Sequence, residues 1–175
     1  MHKLTISLML AFVLAVPAMA AAPEAGQQPE IDETTMRQMI DGSIQRFQIA
    51  DDVSVDDAID SMTLRANMLN FKLVADLPLS EQVVAMGEDA NFMRILAFCD
   101  ALIAKKMVEY NIIFAGFLPC RVAVLEDSEG RGWIVTMNMD MMLQAVDLPE
   151  DLQPLAQRVR DTIYSIVDAG VNGDL

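Results

Sequence analysis

Hydrophobic and polar positions along this chain follow two periods, and the change from one to the other predicts the elements. Short apolar runs typical of strands alternate with stretches whose apolar residues recur at helical spacing. The clearest helical stretch opens at Ser54, where Asp57 follows three residues later in a capping-box arrangement. Its apolar face carries Val55, Ala58, Ile59, Met62, Ala66 and Leu69.

Five strands and five helices follow from these patterns. The predicted strands are 44–50, 69–75, 92–99, 120–126 and 133–137. The predicted helices are 32–42, 54–69, 78–87, 101–110 and 149–169. Asp100 is expected to cap the fourth helix, and Gly170 is expected to end the last one.

Strands that alternate with helices before a closing hairpin indicate the α+β class. We expect a two-layer sandwich, in which a small mixed sheet carries helices on one face. An amphipathic C-terminal helix completes the fold. The expected divisions are a signal peptide (1–20), a flexible tether with a short helix (21–42), the α+β domain (43–146), and the C-terminal helix with its tail (147–175).

The first 20 residues have the features of a cleavable export signal. A basic start at Lys3 precedes an apolar run from Leu4 to Val16, and Ala18-Met19-Ala20 supplies small residues at alternate positions. We therefore expect a periplasmic or secreted protein, with no membrane span after cleavage.

Cleavage and composition exclude several classes of chemistry. The chain has one histidine, His2, which lies in the signal, so catalytic triads and histidine-based metal sites are excluded from the mature protein. The net charge of −14 becomes about −15 without Lys3. Such an acidic chain does not suit nucleic acid as a partner.

Cys99 and Cys120 are the only cysteines, and they centre the functional analysis. Cys99 falls where a strand meets a helix N-terminus, a position that favours a thiolate, although the charge of Asp100 opposes it. Cys120 follows Pro119 and precedes Arg121. Three interpretations stay open: a structural disulfide or two buried thiols, a redox or sulfur-handling pair, and a metal or cofactor site.

A methionine cluster suggests one metal alternative. Met137, Met139, Met141 and Met142 lie close in sequence, and thioethers with thiolates suit Cu(I). Methionine also fills irregular cores, and core packing is the favoured interpretation of this cluster.

The stretch from Phe92 to Thr136 resembles the family called domain of unknown function 302. The resemblance rests on Cys99-Asp100-Ala101, on Ala104, on Leu118-Pro119-Cys120 and on the glycine turn before Trp133. Asp100-Ala101 stands where the family often has Asn-Pro, and Arg121 stands where Asn is common. The resemblance implies a compact α+β fold that is dimeric, and it implies no settled activity.

The functional expectation is therefore an exported accessory protein without demonstrated catalysis. Its candidate site residues are Cys99, Cys120, Asp100 and Arg121. Sulfur metabolism is the setting that the resemblance implies, with a small sulfur compound or a redox partner as the ligand. The alternatives are a Cu(I) or haem-type binding protein that uses Cys and Met, and a structural dimer with a disulfide.

Overall fold

The computed structural model describes residues 31–174, so the expected signal peptide and tether lie outside the described residues. Contacts along the chain define one compact unit, Glu33–Leu175. The helices of this unit are α1 (Glu33–Gly42), α2 (Val55–Met68), α3 (Leu79–Ala85), α4 (Ala101–Tyr110), the 3-10 helix η1 (Ile112–Phe117), α5 (Met139–Ala145) and α6 (Gln153–Asn172). The strands are β1 (Ile44–Gln48), β2 (Lys72–Leu77), β3 (Met93–Cys99), β4 (Cys120–Glu126) and β5 (Gly132–Met137).

The five strands form one sheet in the order β1-β5-β4-β3-β2, and the α+β class is confirmed. All four strand pairings are antiparallel, so the prediction of a mixed sheet was wrong. The reason is physical: periodicity identifies strands, but it does not specify the direction in which distant strands pair. No helix within residues 31–174 is long and apolar enough to cross a membrane.

The main core lies between one face of the sheet and the pair α2 and α6. Alternate strand residues point into this layer, and Leu96, Val122 and Ile134 are fully buried there. Met62 of α2 and Ile166 of α6 are also fully buried and close the layer from the other side.

The C-terminal helix differs from its prediction at both ends. It starts at Gln153, with Pro154 in its first turn, and ends at Asn172, where Gly173 caps it in the left-handed conformation (φ 67°). Gly170 does not stop the helix. It is buried within α6, where a Cβ atom would come within 2.5 Å of Met62 Cγ, so the glycine allows α2 and α6 to approach closely.

Two further differences concern β2 and α5. The strand β2 starts at Lys72 and not at Leu69, because α2 continues to Met68 and Asn70 turns the chain with φ 58°. Helix α5 was not predicted. It starts where the Asn138 side chain accepts a hydrogen bond from the Met141 backbone N–H at 3.0 Å.

Candidate functional site

Cys99 is the last residue of β3, and the next residue, Asp100, caps α4 as predicted. The Asp100 carboxylate accepts hydrogen bonds from the backbone N–H groups of Leu102 (3.0 Å) and Ile103 (3.1 Å). It also lies 3.7 Å from the guanidinium of Arg158 on α6. Two amide donors expected to favour a Cys99 thiolate are therefore bound to the neighbouring carboxylate.

Cys120 is the first residue of β4 and lies opposite Phe98 in the β3–β4 ladder. The preceding Leu118–Pro119 peptide bond is cis. Strand alternation directs Cys120 to the core face of the sheet, where it packs against the main core. Cys99 follows the core-facing Phe98, so alternation places it on the opposite face. The two thiols are free, and no disulfide joins them.

Both cysteines line one cavity at this end of the sheet, although strand alternation separates them. Side chains of α4, η1, α5 and α6 form the other walls. Six of the lining residues carry sulfur, and we call the space the sulfur-lined cavity: Cys99, Cys120, Met107, Met137, Met139 and Met142. The structure thus brings the two predicted cysteines together with methionines of the predicted cluster.

The sulfur-lined cavity is small. Its empty space is ≈ 790 Å³ with the open mouth included, but the centre of a water molecule has only ≈ 70 Å³ available. At roughly 10–15 Å³ per water, that is room for about five to seven waters.

Burial keeps both thiols protonated at neutral pH. Burial, followed by the nearby Cys99, raises the pKa of Cys120 to about 11. Burial also raises the pKa of Cys99, followed by the negative charge of Asp100. Desolvation and the Asp100 charge both disfavour the Cys99 thiolate, so the expected opposition from Asp100 is present and burial adds to it. The relative reactivity of the two thiols stays a prediction.

Arg121 also borders the cavity, but its side chain is exposed. Its backbone carbonyl accepts a hydrogen bond from Thr136 Oγ1 at 2.8 Å, which adds a side-chain contact between β4 and β5 next to the cavity. Among the described residues, no carboxylate forms an ion pair with Arg121 within 4.0 Å.

The wall opposite the strands is held by a small polar network. Tyr164 of α6 donates a hydrogen bond from its hydroxyl to the Asp140 carboxylate of α5 at 3.1 Å, and Arg160 contacts the same carboxylate at 3.3 Å. Tyr110 of α4 donates to the backbone carbonyl of Asp147 at 3.1 Å. These contacts hold the α5 methionines at the cavity. Asn138 is a recognisable helix cap in the sequence, and that signal for α5 was not used.

Soft donors distinguish this site from a site for zinc or calcium. Within residues 31–174, no group of three or more His, Cys, Asp or Glu residues could hold a metal ion. The sulfur-lined cavity instead offers two thiols and four thioethers, the donor set that Cu(I) prefers.

Comparison with known proteins establishes the family. The family model described as "Domain of unknown function DUF302" matches residues 47–170. The chain belongs to this family. The crystal structure of an uncharacterised conserved DUF302 protein from Bacillus stearothermophilus is similar, with a TM-score of 0.60 and 17% sequence identity. The match covers 72% of this chain and 96% of that protein, and at this identity it shows the DUF302 fold alone. No curated protein matches the chain.

Proposed function

We propose that this DUF302 protein is an exported accessory protein that binds a small reduced-sulfur compound in the sulfur-lined cavity. One observation carries the proposal: both cysteines and four methionines border a single, mostly apolar cavity. Such a lining suits a compact, weakly hydrated ligand, because polar ligands would lose hydrogen bonds to water there.

Binding is favoured over thiol catalysis by the state of the thiols. A nucleophilic or redox-active cysteine needs a thiolate, and the raised pKa values of Cys99 and Cys120 oppose its formation at neutral pH. Protonated thiols are weak donors and behave as small apolar groups. In the proposed role, Cys99 and Cys120 contact the ligand and do not exchange electrons with it.

A Cu(I) site is the second candidate, and the thioethers favour it. Met107, Met137, Met139 and Met142 add four soft donors to the two thiols around the same space. Cu(I) binding would release protons from the two cysteines, so its affinity would rise with pH. Binding of a neutral sulfur compound would not show that dependence.

Isotope labelling of the methionine methyl groups tests the sulfur-compound proposal by NMR. Propanethiol should shift the signals of the four cavity methionines and leave exposed Met86 and Met68 unchanged, and propanol serves as the matched ligand without sulfur. The signals are assigned with single Met→Leu variants, which conserve side-chain volume. Equal shifts with propanol, or no shift at the cavity methionines, would overturn the sulfur-compound proposal.

Two variants separate the candidates. Met139→Leu removes a thioether at nearly constant volume, so it should leave propanethiol binding intact and weaken Cu(I) binding under anaerobic competition with a chelator. Cys120→Ala should weaken both. Cu(I) binding that is unaffected by either variant would exclude the cavity as the metal site.

We also propose that the mature protein starts at about Ala21, is periplasmic and forms a homodimer. The export proposal is supported by the apolar run and the small residues at Ala18 and Ala20. Sequencing the N-terminus of protein recovered from the periplasm tests it, and an intact Met1 on membrane-bound protein would refute it. The dimer proposal is supported by two uncovered apolar surfaces, the outer face of the sheet and the apolar stripe of α1.

A further inference from the structure

The sheet has an outer face, opposite the main core, that is apolar and partly exposed. One row across its strands shows this arrangement, because the paired residues are Leu77, Ile95, Ala123, Val135 and Arg46. Leu77 is 43% exposed, and Ile95, Ala123 and Val135 are partly exposed. The small Ala123 at the centre leaves room for another element to approach closely.

The neighbouring rows of this outer face repeat the pattern. One contains Ala75, Ala97 and Arg121 on three strands, with Met137 and Ile44 on the other two. The other row contains Met93, Leu125, Trp133 and Gln48. These three rows hold two arginines and no carboxylate, although the chain has 26 Asp and Glu residues. Arg46 is paired with Asp41 of its own chain at 3.8 Å, so Arg121 is the arginine of these rows that lacks a carboxylate partner within the described residues. The outer face therefore suits an apolar partner with an acidic group near Arg121.

Helix α1 is the second uncovered surface. Met36, Met39 and Ile40 lie at helical spacing on one stripe and are 43%, 45% and 59% exposed, and no residue of α1 is buried. A ten-residue helix is too short to be stable alone in water, so its apolar stripe needs a cover. Carboxylates at Glu33 and Asp41 lie at its two ends, where Glu33 pairs with Arg37 of the same helix and Asp41 lies 3.8 Å from Arg46 of β1.

The junction between α1 and β1 is short and held by hydrogen bonds, which fix the direction in which α1 leaves β1. Asn138 donates hydrogen bonds to the backbone carbonyls of Gly42 (2.9 Å) and Ser43 (2.8 Å). The Ser43 hydroxyl donates to the Ile40 carbonyl at 2.6 Å. Only one residue, Ser43, separates the helix from the strand.

We infer that α1 of one copy docks its apolar stripe on the outer sheet face of a second copy, and that the second copy reciprocates. This inference rests on the proposed homodimer and names its surface. At about 1.5 Å per residue, α1 is about 15 Å long and covers about three strands spaced about 4.8 Å apart. In a two-fold arrangement each contact occurs twice. Glu33, whose ion pair with Arg37 is exposed and therefore weak, is the carboxylate that can turn to Arg121 of the second copy.

Helix α1 precedes the residues that match the DUF302 family, so the helix side of this contact lies outside the part of the chain that the family model matches. The sulfur-lined cavity takes no part in it apart from Arg121 and Met137, which border both. Dimerisation through α1 would thus leave α4, η1 and α5 available around the cavity.

Sedimentation equilibrium on the full mature chain tests the inference with two variants. M36Q/M39Q/I40Q removes the stripe, and A123E places a carboxylate at the centre of the outer face. Each should raise the dimer Kd by at least about tenfold. L64Q/M68Q is the matched control, because these α2 residues are 43% and 69% exposed and belong to neither surface. Unchanged circular dichroism shows that each variant is folded.

Mixing the two variants gives the decisive result. The stripe variant keeps an intact outer face, and A123E keeps an intact α1. Their mixture should therefore form heterodimers through one intact contact, with a lower Kd than the homodimers of either variant. Dimers of the stripe variant with wild-type affinity would overturn the α1 assignment and leave the homodimer standing. A mixture that gains nothing would overturn reciprocal docking, and a monomeric wild type would overturn both proposals.

Discussion

Gly170→Ala is expected to destabilise the protein, although alanine is the better helix former. Gly170 is buried in α6 where that helix crosses α2. An added Cβ would lie 2.5 Å from Met62 Cγ, 2.7 Å from Met62 Sδ and 2.8 Å from Ile134 Cδ1. Met62 and Ile134 are fully buried, so neither has free space into which it can move.

Two opposing effects set the magnitude. Overpacking a filled core costs about 1–3 kcal/mol, and replacing glycine by alanine within a helix returns up to about 1 kcal/mol. Because the added Cβ would overlap two side chains at less than 3 Å, the overpacking cost should lie in the upper part of its range, at about 2–3 kcal/mol. The net loss in the free energy of unfolding should then be about 1–2 kcal/mol. For a domain of this size, that loss corresponds to a fall in Tm of about 2–8 °C.

Thermal unfolding followed by circular dichroism measures this change, with Gly116→Ala as the matched control. A Cβ at Gly116 meets no atom within 4 Å, so that variant should stay within about 0.5 kcal/mol of wild type. A Gly170→Ala protein as stable as wild type would refute the close α2–α6 contact.

A double-mutant cycle with Met62→Ala sharpens the test. Met62→Ala alone leaves a cavity and should cost about 2–5 kcal/mol. The methyl group added at position 170 would partly fill that cavity, so the double variant should be more stable than the sum of the single losses predicts. Strict additivity would show that the side chains at the two positions do not meet.

Three further predictions concern the thiols, a carboxylate and the N-terminus. Alkylation of Cys99 and Cys120 should be slow at neutral pH and accelerate as the pH rises, with Cys120 approaching full reactivity only near its pKa of about 11; fast labelling of Cys120 at neutral pH in folded protein would contradict this. Hydrogen bonds from the Trp133 indole and then from Arg131 hold the pKa of Asp127 well below its usual range, so its stabilising effect is present above about pH 4 and is lost as the pH falls through the lowered pKa. Asp127→Asn should therefore weaken the dependence of Tm on pH in acid, and an unchanged profile would refute that role. Deletion of residues 4–16 should leave the protein in the cytoplasm, as cell fractionation would show, and continued export would exclude the proposed signal.

Local sequence signals predicted much of the fold. The Ser54 cap is confirmed, since its hydroxyl oxygen accepts a hydrogen bond from the Asp57 N–H at 3.0 Å. Asp100 caps α4 as expected, and β3, β4 and β5 lie within one residue of their predicted bounds. These elements are determined by side chains within a few positions of one another, so a single sequence contains the necessary information.

Features that depend on distant residues were not predictable in the same way. Gly170 has the sequence context of a helix stop, but its role is set by Met62, which lies more than one hundred positions away. The protonated state of Cys99 depends on burial that the whole fold creates. The cavity itself needs α5 to bring Met139 and Met142 against the two cysteines, and strand alternation alone would have separated those cysteines.

The walls of the sulfur-lined cavity are anchored differently from the rest of the domain. A second, smaller cluster of Phe114, Leu148, Leu152 and Ala156 holds them, and Phe114 is the only buried residue of η1. The start of α6 belongs to this cluster, whereas its later turns belong to the main core. We expect amide hydrogens of η1 and α5 to exchange through local opening at a lower free energy than those of α2 and the end of α6. Ligands would then enter and leave the sulfur-lined cavity while the main core stays closed. The residence time of a bound ligand and the melting temperature of the protein could therefore change independently.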